Sequence, residues 1–308
     1  MKTDYHPEVL VVGSINADTS YLVAELPKPG ETVLSTGRLD APGGKGANQA
    51  AALAALGVSV EFVAAIGDDD SGRALVDGLS RRGVGVTGIA TITSHPTGSA
   101  VILVSASGEN SIVVHQGANG AMSPKHVKNA TALLSPSIVL TQLEIPLAAV
   151  AQASKVSGAR FIVNPAPMPV RDSELNQILQ AADILVPNRT ELASLAGMPT
   201  PVSLDEVIEC ARGLDFAGQL IVTLGAEGAV VFAAGVTGSH EIVPAPQVEA
   251  IDTSGAGDAF CAALAAALSQ GKTLTQATTS ACEFASWTTT QPGAQVPHST
   301  LKGLSLSI

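Results

Sequence analysis

Val9-Leu10-Val11-Val12-Gly13-Ser14-Ile15-Asn16-Ala17-Asp18 begins with four apolar residues in succession and turns polar after a glycine. An unbroken apolar run without polar alternation is the pattern of a strand buried on both faces. Such runs recur at Val60 to Ile66, Ile138 to Leu140, Phe161 to Val163, Ile184 to Val186 and Leu220 to Leu224. Helical stretches lie between them. Ala47 to Leu56 stops at Gly57, Ser71 to Arg82 at Gly83, and Leu147 to Ser157 at Gly158. Glycine suits the position that closes a helix. Leu204 to Leu214 and Gly255 to Gln270 complete the set. Strand and helix alternate, which predicts an α/β fold with a parallel sheet covered on both faces.

Two segments break the alternation. Thr19 to Asp40 holds β-prone pieces, Tyr21-Leu22-Val23 and Glu31-Thr32-Val33-Leu34, split by Pro27, Pro29 and Gly30. Thr97 to His115 reads as a hairpin, with Val101 to Val104 and Ile112 to Val114 on either side of a turn at Ser107 to Asn110. Together they predict a small antiparallel sheet standing outside the main body.

The 308 residues are 46% hydrophobic and 14% charged, enough for a large core. Aromatics are only 3%, so that core is built from Ala, Val, Leu and Ile. The net charge of −11 and the lack of a basic run exclude nucleic acid as a partner. Any bound phosphate must be held locally, by backbone amides, a few cations or a metal. Cys210, Cys261 and Cys282 lack CxxC spacing and read as small buried hydrophobes in a reducing compartment. The histidines show no metal spacing. Met1 to Glu8 has no apolar signal core, and Ala259 to Leu268 is too short to span a bilayer. A soluble, cytoplasmic protein without membrane contact is the expectation.

Several polar clusters fall just past predicted strands, where α/β sheets bind ligands. Gly43-Gly44-Lys45-Gly46-Ala47-Asn48 opens a helix. Its glycines let a ligand approach the backbone, and Lys45 and Asn48 suit hydroxyl recognition. It is no P-loop, because Gly46 stands where Ser or Thr is needed and Asp40 where the first glycine is needed. Asp252-Thr253-Ser254-Gly255-Ala256-Gly257-Asp258 opens the second Ala-rich helix. The amides of Gly255, Ala256 and Gly257 at a helix N-terminus form a hole for a phosphoryl oxygen. Asp258 beside it suits a general base, although an acid there also simply complements the helix dipole. Phe260 in the third glycine position excludes a dinucleotide fingerprint. Asn16 and Asp18 fit either a polyol or an Asx turn. Asn188 and Glu191 fit either the water shell of Mg²⁺ or an ordinary N-cap. Thr223, Gly225, Ala226, Glu227 and Gly228 fit a nucleotide or a turn, and Glu144 a sugar hydroxyl or the surface. Ser14 and Ser254 lack the flanks of a nucleophile elbow.

Taken together, in this order and at this separation, these motifs resemble the ribokinase-like family of carbohydrate and nucleoside kinases. The resemblance runs from Gly13-Ser14-Ile15-Asn16-Ala17-Asp18 to Gly293-Ala294-Gln295. Gly13 to Asp18 followed by Gly43 to Asn48, with Gln116-Gly117-Ala118-Asn119 and Asn164-Pro165-Ala166-Pro167, looks most like the ribose kinases of the family. The resemblance implies a three-layer α/β/α domain over 1–308 with a central mostly parallel sheet. It also implies a β lid from about 16–40 and 95–116, clasped to that of a second subunit in a homodimer. It implies ATP-dependent phosphorylation of D-ribose at O5. Asn16, Asp18, Gly44, Lys45, Asn48 and Glu144 would bind the sugar, and Asp258 would take the proton. Gly255, Ala256 and Gly257 would hold the phosphoryl group. Asn188 and Glu191 would serve phosphates and Mg²⁺, and Thr223 with Gly225 to Gly228 would line the nucleotide site. An activating monovalent cation, K⁺, would be ligated by Asp252, Ser254, Thr288, Gln291 and Gly293. The last ligand, near Pro297 or Ser299, departs from the family pattern. Adenine contacts fall near Ala281 to Glu283 without a residue assigned.

Three rivals stand beside this reading. One is a kinase of the same family with another acceptor: deoxyribose, fructose or a nucleoside. Another is a binding or regulatory protein that has lost catalysis, against which the intact Asp258 argues. The third is a nicotinamide dehydrogenase, against which the missing glycine fingerprint argues.

Overall fold

The structure is a computed structural model and describes residues 7–295. The described residues form two sheets. The elements of the first half are β1 (Val9–Val12), β2 (Asn16–Val23), β3 (Gly37–Gly43), α1 (Lys45–Ala55), β4 (Val60–Gly67), α2 (Asp70–Arg81), β5 (Ile89–Ile92), β6 (Gly98–Ser105), β7 (Asn110–His115), α3 (Pro124–Thr131) and β8 (Ile138–Thr141). The second half adds α4 (Leu147–Ala153), β9 (Arg160–Val163), α5 (Ser173–Ala181), β10 (Ile184–Leu185), α6 (Arg189–Ala196), α7 (Leu204–Arg212), β11 (Gln219–Thr223), β12 (Ala229–Phe232), β13 (Glu241–Val243), α8 (Ala256–Ser269) and α9 (Leu274–Thr288).

The nine-stranded sheet runs β13-β12-β11-β10-β9-β8-β1-β4-β5. All pairs are parallel except β11–β12 and β12–β13. The apolar runs of the sequence are its central strands, and alternation within each run divides the core. Val9 and Val11 join a cluster with α1, α8 and α9, whereas Leu10 and Val12 join one with α3 to α7. Both faces are therefore packed, and no polar period was available to mark them. Helix α8 is buried at every residue from Asp258 to Leu268. Its alanines let it lie close between the sheet and α9.

The second sheet has four strands in the order β3-β2-β6-β7. Its outer pairs are antiparallel, but β2 and β6 run parallel, so it is mixed where an antiparallel sheet was expected. Glu31 to Leu34, expected as a strand, is not one. That stretch is loop, with the Glu31 carboxylate accepting the Lys28 amide at 3.0 Å and Leu34 89% exposed. The partner of β2 is the poorly β-prone Gly-Arg-Leu-Asp-Ala-Pro-Gly of β3, because pairing Asn16 with Gly43 delivers the chain directly into α1. Pairing position overrides propensity there. Further differences are a shorter α4 and the unexpected elements β5, β13, α3 and α5.

Candidate active site

The polar clusters meet at the carboxyl ends of the parallel strands. The turn before α1 begins at Gly44, whose φ is 86° and where a Cβ would lie 2.8 Å from Ile15 Cα. Only glycine fits so close to the end of β1. The turn is held from the other side by Glu144, whose Oε2 accepts the Lys45 amide at 3.1 Å and the Ser14 hydroxyl at 2.5 Å. Glu144 thereby builds the site as well as lining it.

Helix α1 then aims two neighbouring amides at Asp258, in the first turn of α8. Asn48 Nδ2 donates to Asp258 Oδ2 at 2.9 Å and Gln49 Nε2 to Oδ1 at 3.2 Å. Gln295 Nε2 donates to Asn48 Oδ1 at 3.0 Å. Burial pushes the Asp258 pKa up; Lys45 and the two amides pull it back, but it stays above the usual carboxylate range. Burial also works against the Lys45 ammonium. The carboxylates of Asp258, Glu144 and Glu191 outweigh it, and the lysine pKa ends above its ordinary value.

Asp18 lies against the Gly43 backbone, where a Cβ would meet its Oδ2. Its Oδ1 accepts the Ala100 amide at 3.0 Å, yet burial and the nearby Glu144 raise its pKa to about 6. Asn16 is buried, and its Oδ1 accepts Asn119 Nδ2 at 2.8 Å. Asn16 and Glu144 line a cleft of about 140 Å³ with Asn119 and Gln116. Asp18 lines a larger one, about 700 Å³, beneath the small sheet.

A third cleft of about 300 Å³ is lined by Lys45, Asn164, Asn188, Glu191, Gly255, Ala256, Gly257 and Asp258. Lys45 lines this cleft together with Asp258. Gly255 is left-handed (φ 72°), and α8 starts from it. The Ala256 amide donates to the Thr253 carbonyl at 3.3 Å, so the expected hole of three amides narrows to Gly255 and Gly257. Asn188 and Glu191 form a reciprocal capping box on α6 and still line the cleft, so both readings of that pair coexist. Burial raises the Glu191 pKa.

Next to it, a cleft of about 250 Å³ is lined by Thr223, Gly225, Ala226, Gly228 and Gly257, by Phe260 and Cys282, and by residues the sequence did not mark: Pro246, Val248 and Ser286. Of the stretch near 281–283, Cys282 reaches it. Glu227 does not. Its Oε1 pairs with Arg189 Nη2 at 2.5 Å instead. The residues expected at the cation are tied together through the backbone: Asp252 Oδ2 accepts the Gly293 amide at 2.8 Å, its Oδ1 the Ser254 amide at 2.9 Å, and its own amide donates to the Thr289 carbonyl at 3.0 Å. Gln291 donates its amide to the Thr288 carbonyl at 3.0 Å. Pro297 and Ser299 lie outside the described residues.

The sequence pattern of the pfkB family of carbohydrate kinases matches residues 6–301. The chain belongs to that family. It is 37% identical over 293 residues to the ribokinase of Haemophilus influenzae, covering 92% of this chain and 93% of that one. It is 34% identical over 302 residues to the deoxyribokinase of Salmonella typhimurium, covering 96% of each. The structure of Arabidopsis thaliana ribokinase complexed with ribose and ATP superposes with a TM-score of 0.82 at 32% identity, over 98% of this chain and all (100%) of that one. This pfkB-family chain is therefore a sugar kinase with the ribokinase-like fold.

The sequence left Ser14, Gln49, Asn119 and Gln295 without a role. None carried a signal of its own: Asn48 and Gln49 sit side by side in a helix that is otherwise Lys, Gly, Ala and Leu, and only the fold shows that both turn to Asp258.

Proposed function

We propose that this sugar kinase transfers the γ-phosphoryl group of ATP to the 5-hydroxyl of D-ribose, giving D-ribose 5-phosphate and ADP. The observation that carries the reading is Asp258: a buried carboxylate, fixed by Asn48 and Gln49, at the N-terminus that also carries Gly255 and Gly257. The ribose O5–H bond breaks towards Asp258 as O5 bonds to the γ-phosphorus, and the bond to the ADP oxygen breaks. Charge spreading over the phosphoryl oxygens meets the Gly255 and Gly257 amides and the Lys45 ammonium, which need no reorganisation. Asn16, Asp18, Asn48 and Glu144 hold the sugar. The apolar cleft beside Phe260 and Cys282 takes the adenine.

The donor types fit the two cations. Asn188 and Glu191 offer oxygen to Mg²⁺ or its water shell, and Mg²⁺ would neutralise phosphate charge. Asp252, Ser254, Thr288, Gln291 and Gly293 offer only oxygens, from carboxylate, hydroxyl, amide and backbone, which suits a hard cation such as K⁺. The small sheet serves as lid and as dimer contact. Leu39, Ile112 and Val114 share one of its faces and are 60%, 53% and 50% exposed, an apolar patch that asks for a partner. Consumption of ATP and a sugar suits a cytoplasmic enzyme.

A second acceptor, 2-deoxyribose, is favoured by the likeness to the Salmonella deoxyribokinase. The test is ATP consumption with ribose, deoxyribose, fructose and nucleosides, with and without K⁺. Ribose should give the highest kcat/KM. A higher value for deoxyribose moves the assignment, and sugar-independent or absent turnover ends it.

A further inference from the structure

Asp258 is gripped from two sides, and one side lies away from the sugar residues. Gln49, which donates to Asp258 Oδ1, is 0% exposed. Behind it stands Gln142, past the end of β8 and likewise 0% exposed, whose Nε2 donates to Gln49 Oε1. The remaining oxygen of Gln142 is buried and accepts no hydrogen bond among the described residues. It fits only because residue 13 is glycine; a Cβ there would overlap it. A core seldom keeps an orphaned polar atom without a reason. Charge supplies one. An amide facing a carboxylate must present its NH₂, so the Gln49 carbonyl must point at Gln142, which must present NH₂ in turn. The mismatch is passed to the last oxygen in the chain.

Resting on the assignment of Asp258 as the base, we infer that Gln49, oriented by Gln142, is a positioning residue for phosphoryl transfer. Its hydrogen bond stops rotation of the Asp258 carboxylate and leaves the oxygen beside Asn48 aimed at the acceptor hydroxyl. It also favours the ionised form that burial opposes. The other ionisable groups around Asp258 are Lys45, Glu144, Glu191 and Cys261. Neither glutamine carries charge, so replacing one leaves that set intact.

The test uses the full chain with Gln49→Leu, Gln142→Leu, Asp258→Asn and the double variant Gln49→Leu/Asp258→Asn. Ribose kinetics against pH, ATP affinity and Tm are measured for each. Gln49→Leu should lower kcat about 10- to 100-fold with ribose KM changed less than about threefold. The acid limb of its kcat/KM profile should move up by about one pH unit. Gln142→Leu exchanges one unpaired buried oxygen for another, that of Gln49, at nearly the same side-chain volume, so it should fold and show the same signature at smaller size. It stands as the test if Gln49→Leu does not fold. In the double variant, Gln49→Leu should add nothing to Asp258→Asn. Wild-type kcat and acid limb in folded Gln49→Leu or Gln142→Leu, or multiplying losses in the double variant, overturn the inference while leaving Asp258 in place. Turnover that survives Asp258→Asn removes the base itself.

Discussion

Two carboxylates at the strand ends are both disfavoured by burial, and they escape differently. Asp258 has Lys45 and two amides around it, whereas Asp18 has one backbone amide and sits near Glu144. Asp258→Asn keeps the shape and loses the proton acceptor. We expect kcat to fall roughly 10²- to 10⁴-fold with little change in ribose KM, measured by coupled assay. Asp18, with a pKa of about 6, should make sugar binding pH-dependent. Its ionised form accepts sugar hydroxyls, so ribose KM should rise as pH falls through about 6, read from KM between pH 5 and 8. The stability sign is opposite. A pKa raised above the unfolded value means that the ionised group costs stability above about 6 and nothing below the unfolded pKa. Asp18→Asn should therefore raise Tm at pH 7, by roughly 1–3 °C once solvent screening is allowed for, with the gain gone near pH 4. At this scale the sequence marked Asp18, Lys45, Asp258 and the glycines as candidates, and the fold brings them to the ends of the strands, whereas Glu227 turns to Arg189. Gln49, Gln142 and Asn119 were not marked, because an amide advertises no chemistry until its partner is seen.

Helix α8 joins the core to the chemistry. Its alanine body packs against the sheet, and its N-terminus carries Gly255, Gly257 and Asp258. Gly255 is left-handed, and a Cβ on it would come within 2.8 Å of the Ala294 carbonyl oxygen. Gly255→Ala should cost about 1–3 kcal/mol, seen as a lower Tm, and should also cut kcat by displacing the amide that meets the phosphoryl group. A Tm loss with kcat intact would take that amide out of the mechanism. The central strands were legible because both faces are apolar. β3 was not, since Gly, Arg, Asp and Pro carry no strand signal and its place is set by pairing with β2. The overstated extent of α4 is Ser154-Lys155-Val156-Ser157, where the Ser154 hydroxyl donates to the Ala151 carbonyl and the Lys155 and Val156 amides bond three residues back, so the helix tightens into a turn.

For the whole molecule, the large sheet positions the cleft proposed for the nucleotide and Asp258, the proposed base, while the small sheet brings Asp18. Across that small sheet Asp18 is in register with Ala41 and Ala100, and Ala100 with Val114; two residues along, Leu39, Ser20, Ile102 and Ile112 form the next row on the same face. If that face joins two subunits, Ile112→Glu should give monomers by sedimentation, with the fold intact by circular dichroism. The mixed topology of the small sheet follows from β2 entering directly after β1 and β6 after the long excursion through β4 and β5. No local sequence pattern encodes that.

The aspartate proposed to grip the sugar, Asp18, thus stands on the same surface that would meet a neighbour. Acceptor affinity should then depend on how much enzyme is in the tube. A preparation diluted far enough to separate its chains should need more ribose for half-saturation and spend more ATP on water.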